Sequence, residues 1–186
     1  EHLAELLRGA DLPAVPRAML AHAGALEAQL AQEWGTAERP SLGPIRVADL
    51  GCGSGILGIA ALLQGAISVA AADTDSLAVR ATRDNAVVSG FQERLQVQLG
   101  SVDTLAELLA GEPAGLLLCN ILAPVIEALC PAFHTVLAAR GVGLLSGLRV
   151  DQAPRRTQVL AENGWRAELT AQQSQWGLMT IRWAGV

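Results

Sequence analysis

The sequence predicts an α/β fold in which strands and helices alternate, and three observations support this prediction. Short apolar runs alternate along the chain with segments of helical length, a pattern typical of a mostly parallel sheet. A turn with three glycines, residues 51–55, joins the first apolar run to an aliphatic helix. Two final strand-like segments, 165–169 and 176–183, follow one another closely and indicate an antiparallel end to the sheet.

Composition limits the possible functions. The chain has 186 residues, enough for one domain with a proper core, and a formal net charge of -5. This charge argues against a dedicated nucleic-acid groove, although an acidic surface would attract a basic protein substrate. All 13 basic residues are arginine because the chain contains no lysine, and this excludes a Walker-type phosphate loop.

Cysteine usage and hydrophobic patterning indicate a protein of the reducing cytoplasm. The 3 cysteines are odd in number and lack C-x-x-C spacing, so they favour neither a disulfide framework nor a metal site. Residues 50–72 carry no formal charge, but their glycines and their switch from helical to strand character favour buried core over a membrane span. No signal peptide is visible, and since the chain starts at Glu1 rather than Met we expect that it has been trimmed.

Residues 1–44 differ from the rest and are expected to form a helical preface. Helices are predicted over 2–8 and 16–33, and the proline- and glycine-containing stretch 35–44 is interpreted as a connector. The main domain is therefore expected to cover residues 45–186.

The first part of this domain has the pattern of a nucleotide-binding βαβ unit. An apolar run that ends in Asp49 predicts a buried strand, residues 56–64 predict a helix, and a second apolar run ends in Asp73. Gly51 and Gly53 stand where the backbone must turn sharply and let a ligand approach closely. A carboxylate at the end of the second strand is placed where it can accept both hydroxyl hydrogens of a ribose.

The glycine spacing indicates which nucleotide is bound. A dinucleotide fingerprint reads G-x-G-x-x-G and holds a pyrophosphate at the helix N-terminus. Here the spacing is G-x-G-x-G, and Asp49 lies just ahead of the loop. An acidic residue at that point repels a pyrophosphate but suits a cation, and S-adenosylmethionine carries an ammonium and a sulfonium. We therefore predict an S-adenosylmethionine site.

The next helix and strand lead to a second candidate contact with the cofactor. A helix is predicted over 75–89, followed by a strand over 95–99 that lies nearer a sheet edge. The turn after that strand places Ser101 and Val102 at the ligand-binding edge of the sheet, where the adenine ring is expected. An equally good interpretation is that Ser101 or Asp103 caps a helix over 105–109.

A central buried strand, predicted over 115–119, ends in the polar residue Asn120 at the mouth of the same crevice. Pro124 is expected to begin a helix that is bent or broken at Pro131. A further strand over 142–145 and a helix over 151–163 precede the closing hairpin.

In these residues the chain resembles the class I S-adenosylmethionine-dependent methyltransferases, and more narrowly the PrmA family, which methylates ribosomal protein L11. The resemblance runs from about residue 45 to the C-terminus. The matching stretches are Asp49-Leu-Gly-Cys-Gly-Ser-Gly-Ile-Leu-Gly-Ile-Ala-Ala-Leu, Asp73-Thr-Asp, Cys119-Asn-Ile-Leu-Ala, Leu145-Ser-Gly-Leu, Glu162-Asn-Gly-Trp and Gln175-Trp. It implies a Rossmann-like, mostly parallel seven-stranded sheet with an antiparallel C-terminal strand and helices on both faces.

The resemblance also implies roles for individual residues. Gly51 matches the family's cofactor-loop glycine, Asp73 its ribose-binding acid, and Asn120 the Asn of its Asn-Ile-Leu motif, which is implied to touch both cofactor and target amine. The family's upstream Phe-Gly-Thr-Gly-Thr-His loop is not visible in this sequence, nor is its N-terminal substrate-recognition domain. The predicted catalytic residue is Asn120. The predicted cofactor-binding residues are Asp49, Gly51, Gly53, Asp73, Thr74, Ser101, Val102 and Asn120.

The predicted function is an N-methyltransferase acting on lysine or amino groups of a basic ribosomal protein, with no direct nucleic-acid site and no membrane association. Two alternatives stay open: a binding or assembly module that has the fold without activity, and a lysine methyltransferase with another protein substrate. A nicotinamide-binding protein with a degenerate fingerprint is a further rival.

Each candidate residue also has a structural interpretation. Asn120 could simply cap the end of its strand. Cys52 is explained by small-residue packing as well as by reactivity. His134 is interpreted as a surface or half-buried helix residue, and Trp176 as an edge-packing residue that could also line the substrate mouth.

Overall fold

The computed structural model describes residues 43–185, which form a seven-stranded mixed sheet with helices around it. The two helices predicted over 2–8 and 16–33, and nearly all of the connector, lie outside the described residues. The division of the chain at residue 44 therefore stays a prediction.

Strands and helices alternate as the sequence predicts. The strands are β1 (Arg46–Leu50), β2 (Ser68–Asp73), β3 (Leu95–Leu99), β4 (Ala114–Asn120), β5 (Leu137–Arg149), β6 (Trp165–Gln173) and β7 (Trp176–Trp183). The α-helices are α1 (Ile56–Leu63), α2 (Ser76–Val88), α3 (Val102–Leu109), α4 (Ala123–Leu129) and α5 (Ala153–Glu162). Short 3₁₀ helices cover Cys130–Thr135 and Val150–Gln152.

The sheet has the strand order β3-β2-β1-β4-β5-β7-β6. The pairs β1–β2, β1–β4, β2–β3 and β4–β5 are parallel, whereas β7 is antiparallel to both of its neighbours. The predicted parallel sheet with an antiparallel C-terminal strand is thus confirmed. Strand order reverses between β1 and β4, and in open α/β sheets ligands bind at the carboxyl ends of the strands at such a point.

Burial explains why the central strands read as continuous apolar runs. Strands β1, β2 and β4 are covered on both faces, and nearly all of their residues are buried. At the sheet edge, β3 alternates instead, with Leu95 and Val97 buried and Gln96 and Gln98 exposed. This confirms the prediction that β3 lies at an edge.

Helix α3 differs from its predicted bounds, whereas α4 follows the prediction made from its two prolines. Helix α3 begins at Val102 rather than at 105, because Val102 and Leu105 both pack into the core. Helix α4 has Pro124 in its first turn and changes to a 3₁₀ helix that contains Pro131, as a proline that cannot continue an α-helix predicts.

The C-terminal hairpin closes the sheet through aromatic packing. The indole of Trp165, which is 2% exposed, donates a hydrogen bond of 2.9 Å to the carbonyl of Cys130. Its ring lies 6.2 Å from that of Phe133 and 4.9 Å from that of Trp183, both centroid to centroid. Among residues 43–185, no helix is long and apolar enough to cross a membrane.

Candidate functional site

The turn after β1 is shaped by three glycines with left-handed backbone conformations. The φ angles of Gly51, Gly53 and Gly55 are 71°, 56° and 77°, values that L side chains rarely adopt. The amides of Gly51 and Cys52 donate to the carbonyl of Ala72 in β2, at 2.8 and 3.2 Å. The turn is therefore fastened to the end of the neighbouring strand.

Close approach explains why Gly51 has no side chain. A Cβ at Gly51 would lie 2.1 Å from Cγ2 of Ile121, which follows β4. The loops after β1 and β4 therefore meet at the point where the strand order reverses, and a substitution at Gly51 would push them apart.

Asp73 ends β2 with its carboxylate directed into this turn. Its Oδ2 accepts a hydrogen bond of 2.9 Å from the amide of Gly53, and its Oδ1 accepts one of 2.9 Å from the amide of Asp75. A carboxylate oxygen has two acceptor positions, so each oxygen keeps capacity for a ligand hydroxyl. The exposed residue Thr74 follows directly.

Asp49, in contrast, is sealed beneath the turn. Its side chain is 1% exposed, and Oδ2 accepts a hydrogen bond of 3.0 Å from the amide of Gly58 in α1. Burial raises the pKa of Asp49 to about 7, the Gly58 hydrogen bond opposes that rise, and the charge of Asp73 adds to it. The other oxygen, Oδ1, is buried and makes no hydrogen bond within the described part of the chain.

This combination fits a cationic ligand better than an anionic one. A buried carboxylate with an unsatisfied oxygen is costly, and a nearby positive charge lowers that cost. The neighbouring carboxylate of Asp73 makes the turn doubly acidic, which is unsuited to a pyrophosphate. The two carboxylates thus match the positive charge and the ribose hydroxyls of S-adenosylmethionine.

Asn120 and Gly147 bring together two motifs that are distant in sequence. Asn120 ends β4 and pairs in register with Ser146 of the adjacent parallel strand β5. Gly147 has a φ of 79°, and a Cβ there would lie 2.8 Å from Oδ1 of Asn120 and 2.9 Å from the carbonyl oxygen of Ile121. The Asn-Ile-Leu and Leu-Ser-Gly stretches therefore form one wall of the crevice.

The turn after β3 lies beside the acid that ends β2. The amide of Gly100 donates to the backbone carbonyl of Asp73 at 2.9 Å, which fixes this turn next to the end of β2. Ser101 occupies the N-cap of α3 without a side-chain capping bond, and the side chain of Val102 is buried in the core. Side-chain capping by Ser101, one of the two interpretations of this turn, is therefore not seen.

Sequence reasoning missed two residues of α2 that hold the glycine turn. The hydroxyl of Thr82 lies 3.0 Å from the carbonyl of Gly53 and 3.3 Å from Sγ of Cys52. The side-chain amide of Asn85 donates to the carbonyl of Ser54 at 2.8 Å. Thr82 falls on the buried stripe of α2, between Val79 and Ala86, and a polar residue at such a position is the sequence signal that indicates a buried contact.

The remaining candidates have structural roles in their surroundings. Cys52 is 6% exposed, and burial raises the pKa of its thiol to about 11, which keeps it protonated and unreactive. His134 is exposed, and its Nδ1 lies 2.7 Å from the carbonyl of Pro131. Trp176 is 42% exposed and pairs with Arg149 across β5 and β7. Within residues 43–185 no cluster of three or more His, Cys, Asp or Glu side chains could hold a metal ion.

Taken together, the strand order, the acid-flanked glycine turn and the acid that ends β2 define a class I S-adenosylmethionine-dependent methyltransferase fold. A solved structure with this fold is the ribosomal protein L11 methylase from Lactobacillus delbrueckii subsp. bulgaricus, which is 34% identical. That comparison has a TM-score of 0.67 and covers 78% of this chain and 73% of the other.

The chain belongs to the ribosomal protein L11 methyltransferase (PrmA) family, whose sequence model matches residues 33–183. Two relatives with that protein name come from Synechococcus sp. (strain RCC307) and Parasynechococcus marenigrum (strain WH8102). The first is 62% identical and the second 59% identical, over 78% and 77% of this chain. The alignments cover 48% and 50% of the relatives themselves, so the chain spans about half of their length.

Proposed function

We propose that this chain is the catalytic portion of an S-adenosylmethionine-dependent N-methyltransferase that acts on amino groups of ribosomal protein L11. The observation that carries the proposal is the meeting of two walls. On one side of the crevice, Asp49 is buried beneath the glycine turn and the carboxylate of Asp73 points into that turn. On the other side, Asn120 lies beside Gly147. The names of the relatives support the substrate.

Each part of S-adenosylmethionine has a partner in this arrangement. The carboxylate of Asp73 would accept the ribose hydroxyls, and the open backbone of Gly51 and Gly53 would lie against the cofactor. Asp49 would supply a negative charge beneath the turn. Thr74 and the backbone of Ser101 and Val102 would border the adenosine. When bound, the cofactor supplies an electrophilic methyl group on a sulfonium.

The protein's contribution to the chemistry is positioning of a neutral amine. A lysine ammonium has a pKa of ~10.4 and must lose its proton before it can attack. Desolvation beside a sulfonium favours the neutral amine, so no fixed general base is required. Asn120 carries a side-chain carbonyl, and the backbone carbonyl of Ile121 lies next to it. These oxygens would accept amine hydrogens and aim the lone pair at the methyl group.

The net charge of the chain and the names of its relatives support a basic ribosomal protein as the substrate. Ribosomal proteins are basic, and a chain with a net charge of -5 attracts them. We propose that the reaction takes place in the cytoplasm and that the substrate is held mainly by the part of the relatives that lies beyond this chain. The protein would then bind L11 weakly unless that part is present.

Transfer of a labelled methyl group tests the proposal. Purified L11 would be incubated with labelled S-adenosylmethionine and either this chain or a version extended at its N-terminus to the length of the relatives. Labelled L11 from the extended enzyme, formed much more slowly by its Asn120→Ala variant, is the expected result. Retention of cofactor without labelled L11 in either version would instead favour a binding module, and labelling of other proteins in a ribosomal extract would favour another substrate.

A further inference from the structure

The glycine turn makes hydrogen bonds with two elements, helix α2 and the end of strand β2. Gly53 is fixed at both of its backbone polar groups: its amide donates to Asp73, and its carbonyl accepts from Thr82. The two partners lie on different elements, so the orientation of this peptide depends on the contact between α2 and the turn. Glycine by itself cannot set that orientation, because it is the most conformationally permissive residue.

Steric contact accompanies the hydrogen bond. A Cβ at Gly55 would lie 2.8 Å from Cγ2 of Thr82, so the turn rests directly on this side chain. Thr82 is fully buried, and its hydroxyl has the Gly53 carbonyl and the weaker acceptor Cys52 Sγ within reach. One turn further along α2, Asn85 donates to the carbonyl of Ser54.

We propose that Thr82 is a positioning residue for cofactor binding, which acts by fixing the Gly53 peptide so that its amide holds the Asp73 carboxylate in place for the ribose. The hydroxyl donates to the carbonyl of Gly53 and never contacts the cofactor itself. Asn85 assists from an exposed position and contributes less, since water can replace its hydrogen bond. The inference rests on the proposed cofactor site and adds the element that holds its geometry.

Replacement of the hydroxyl by a methyl group isolates this role. Thr82→Val keeps the shape but leaves the Gly53 carbonyl without its donor, and we expect about tenfold weaker binding of S-adenosylmethionine by calorimetry. Thr82→Ser keeps the donor and should bind within about threefold of wild type. S-adenosylhomocysteine should be weakened by the same factor as S-adenosylmethionine, because the effect comes from loop geometry and not from the ligand's charge.

The matched control is Thr180→Val. Thr180 is also largely buried and hydrogen-bonded, to Thr170 at 2.8 Å, but it lies on β7 away from the turn. This variant should lose stability in urea as Thr82→Val does while keeping wild-type cofactor affinity. Equal weakening in both Val variants would show a general effect of destabilisation and overturn the proposal.

The same measurements distinguish a failure of this inference from a failure of the proposed cofactor site. Wild-type affinity in Thr82→Val together with weak binding in Asp73→Ala would leave the site intact and overturn the role of Thr82. A failure of Thr82→Ser to restore binding would overturn it as well. Absence of S-adenosylmethionine binding by the wild-type chain would overturn both the site and the inference.

Discussion

Two carboxylates in the turn region have different surroundings and therefore different tasks. Asp73 is partly exposed and already accepts two backbone hydrogen bonds, which hold its oxygens in place for a ligand. Asp49 is buried, with one oxygen unsatisfied and a raised pKa. At the residue scale, then, Asp73 is suited to direct contact and Asp49 to electrostatic support.

Removal of the Asp73 carboxylate should weaken cofactor binding. Asp73→Ala removes the carboxylate proposed to accept the ribose hydroxyls, and we expect a loss of ~1.5–3 kcal/mol in binding free energy by calorimetry. The control is Asp84→Ala, which removes an exposed carboxylate of α2 whose nearest ionic partner is Arg80 at 3.8 Å. An unchanged dissociation constant in Asp73→Ala would contradict the assignment.

Asn120→Ala should affect turnover more than cofactor affinity. The side-chain carbonyl is proposed to orient the amine, and loss of orientation lowers the rate by roughly 10²-fold. Single-turnover methylation gives the rate, and calorimetry gives the cofactor affinity of the same preparation. If the variant methylates L11 at the wild-type rate, Asn120 is a strand-end capping residue only.

The raised pKa of Asp49 predicts a pH dependence of stability. Its pKa is 3.8 in a model compound and about 7 in the fold, so between these values the folded protein holds a proton that the unfolded chain has lost. The contribution of Asp49 to the free energy of unfolding therefore falls as pH rises through that window. Asp49→Asn removes the titration, so this variant should gain stability relative to wild type as the pH rises from about 4 to about 7 in urea denaturation.

Cofactor binding should lower the pKa of Asp49 from its raised value. A cation near Asp49 favours its charged form, so binding near neutral pH should release a proton from the wild-type protein. Calorimetry in two buffers of different ionisation enthalpy measures that release, and Asp49→Asn should show less of it. Equal proton release by both proteins would place the titrating group elsewhere.

At the scale of elements, the crevice exists because neighbouring parallel strands end at the same edge. Strands β1 and β4 are adjacent in the sheet, although 63 residues lie between Leu50, which ends β1, and Ala114, which begins β4. Their loops meet through Gly51 and Ile121, and β5 adds Gly147 against Asn120. Each loop therefore constrains the next, and the site is assembled from three strand ends.

Gly147→Ala should disrupt this contact. The new Cβ would meet Oδ1 of Asn120 and the carbonyl of Ile121 at under 3.0 Å, in a backbone with φ of 79°. Gly111→Ala is a matched control, since Gly111 has a φ of 81° but nothing within 4 Å of its Cβ position. Gly111→Ala should lose ~1 kcal/mol of stability from backbone strain alone, and Gly147→Ala should lose more than that because of the added steric contact. Only Gly147→Ala should also lose methylation activity. Equal activity in the two variants would show that methylation does not depend on the close contact of Gly147 with Asn120 and Ile121.

At the scale of the whole molecule, the sequence was sufficient for the fold class because each strong local signal agreed with the tertiary structure. The buried apolar runs, the glycine turn and the terminal hairpin all lie where periodicity and turn chemistry predict them. Strand β5 is the main difference: it runs over Leu137–Arg149, well beyond the predicted 142–145. At one end Leu137 pairs with Ala114 of β4, and at the other end Leu148 and Arg149 pair with β7. Side-chain hydropathy does not report such backbone pairing.

The candidate site was predictable only in part. Asp73 and Asn120 end strands, so sequence order alone places them at the ligand-binding edge. Thr82 and Asn85 could not be assigned in this way, because their contacts with the turn join residues about 30 positions apart and depend on how α2 packs. The unsatisfied oxygen of Asp49 likewise appears only when the packing around it is known.

A crystal structure of the chain with S-adenosylhomocysteine would show directly whether Asp73 binds the cofactor. We expect the ribose hydroxyls within hydrogen-bond distance of the Asp73 carboxylate and the adenosine beside the turn that contains Gly51 and Gly53. A ligand bound elsewhere, or an Asp73 side chain turned away from the ribose, would contradict it.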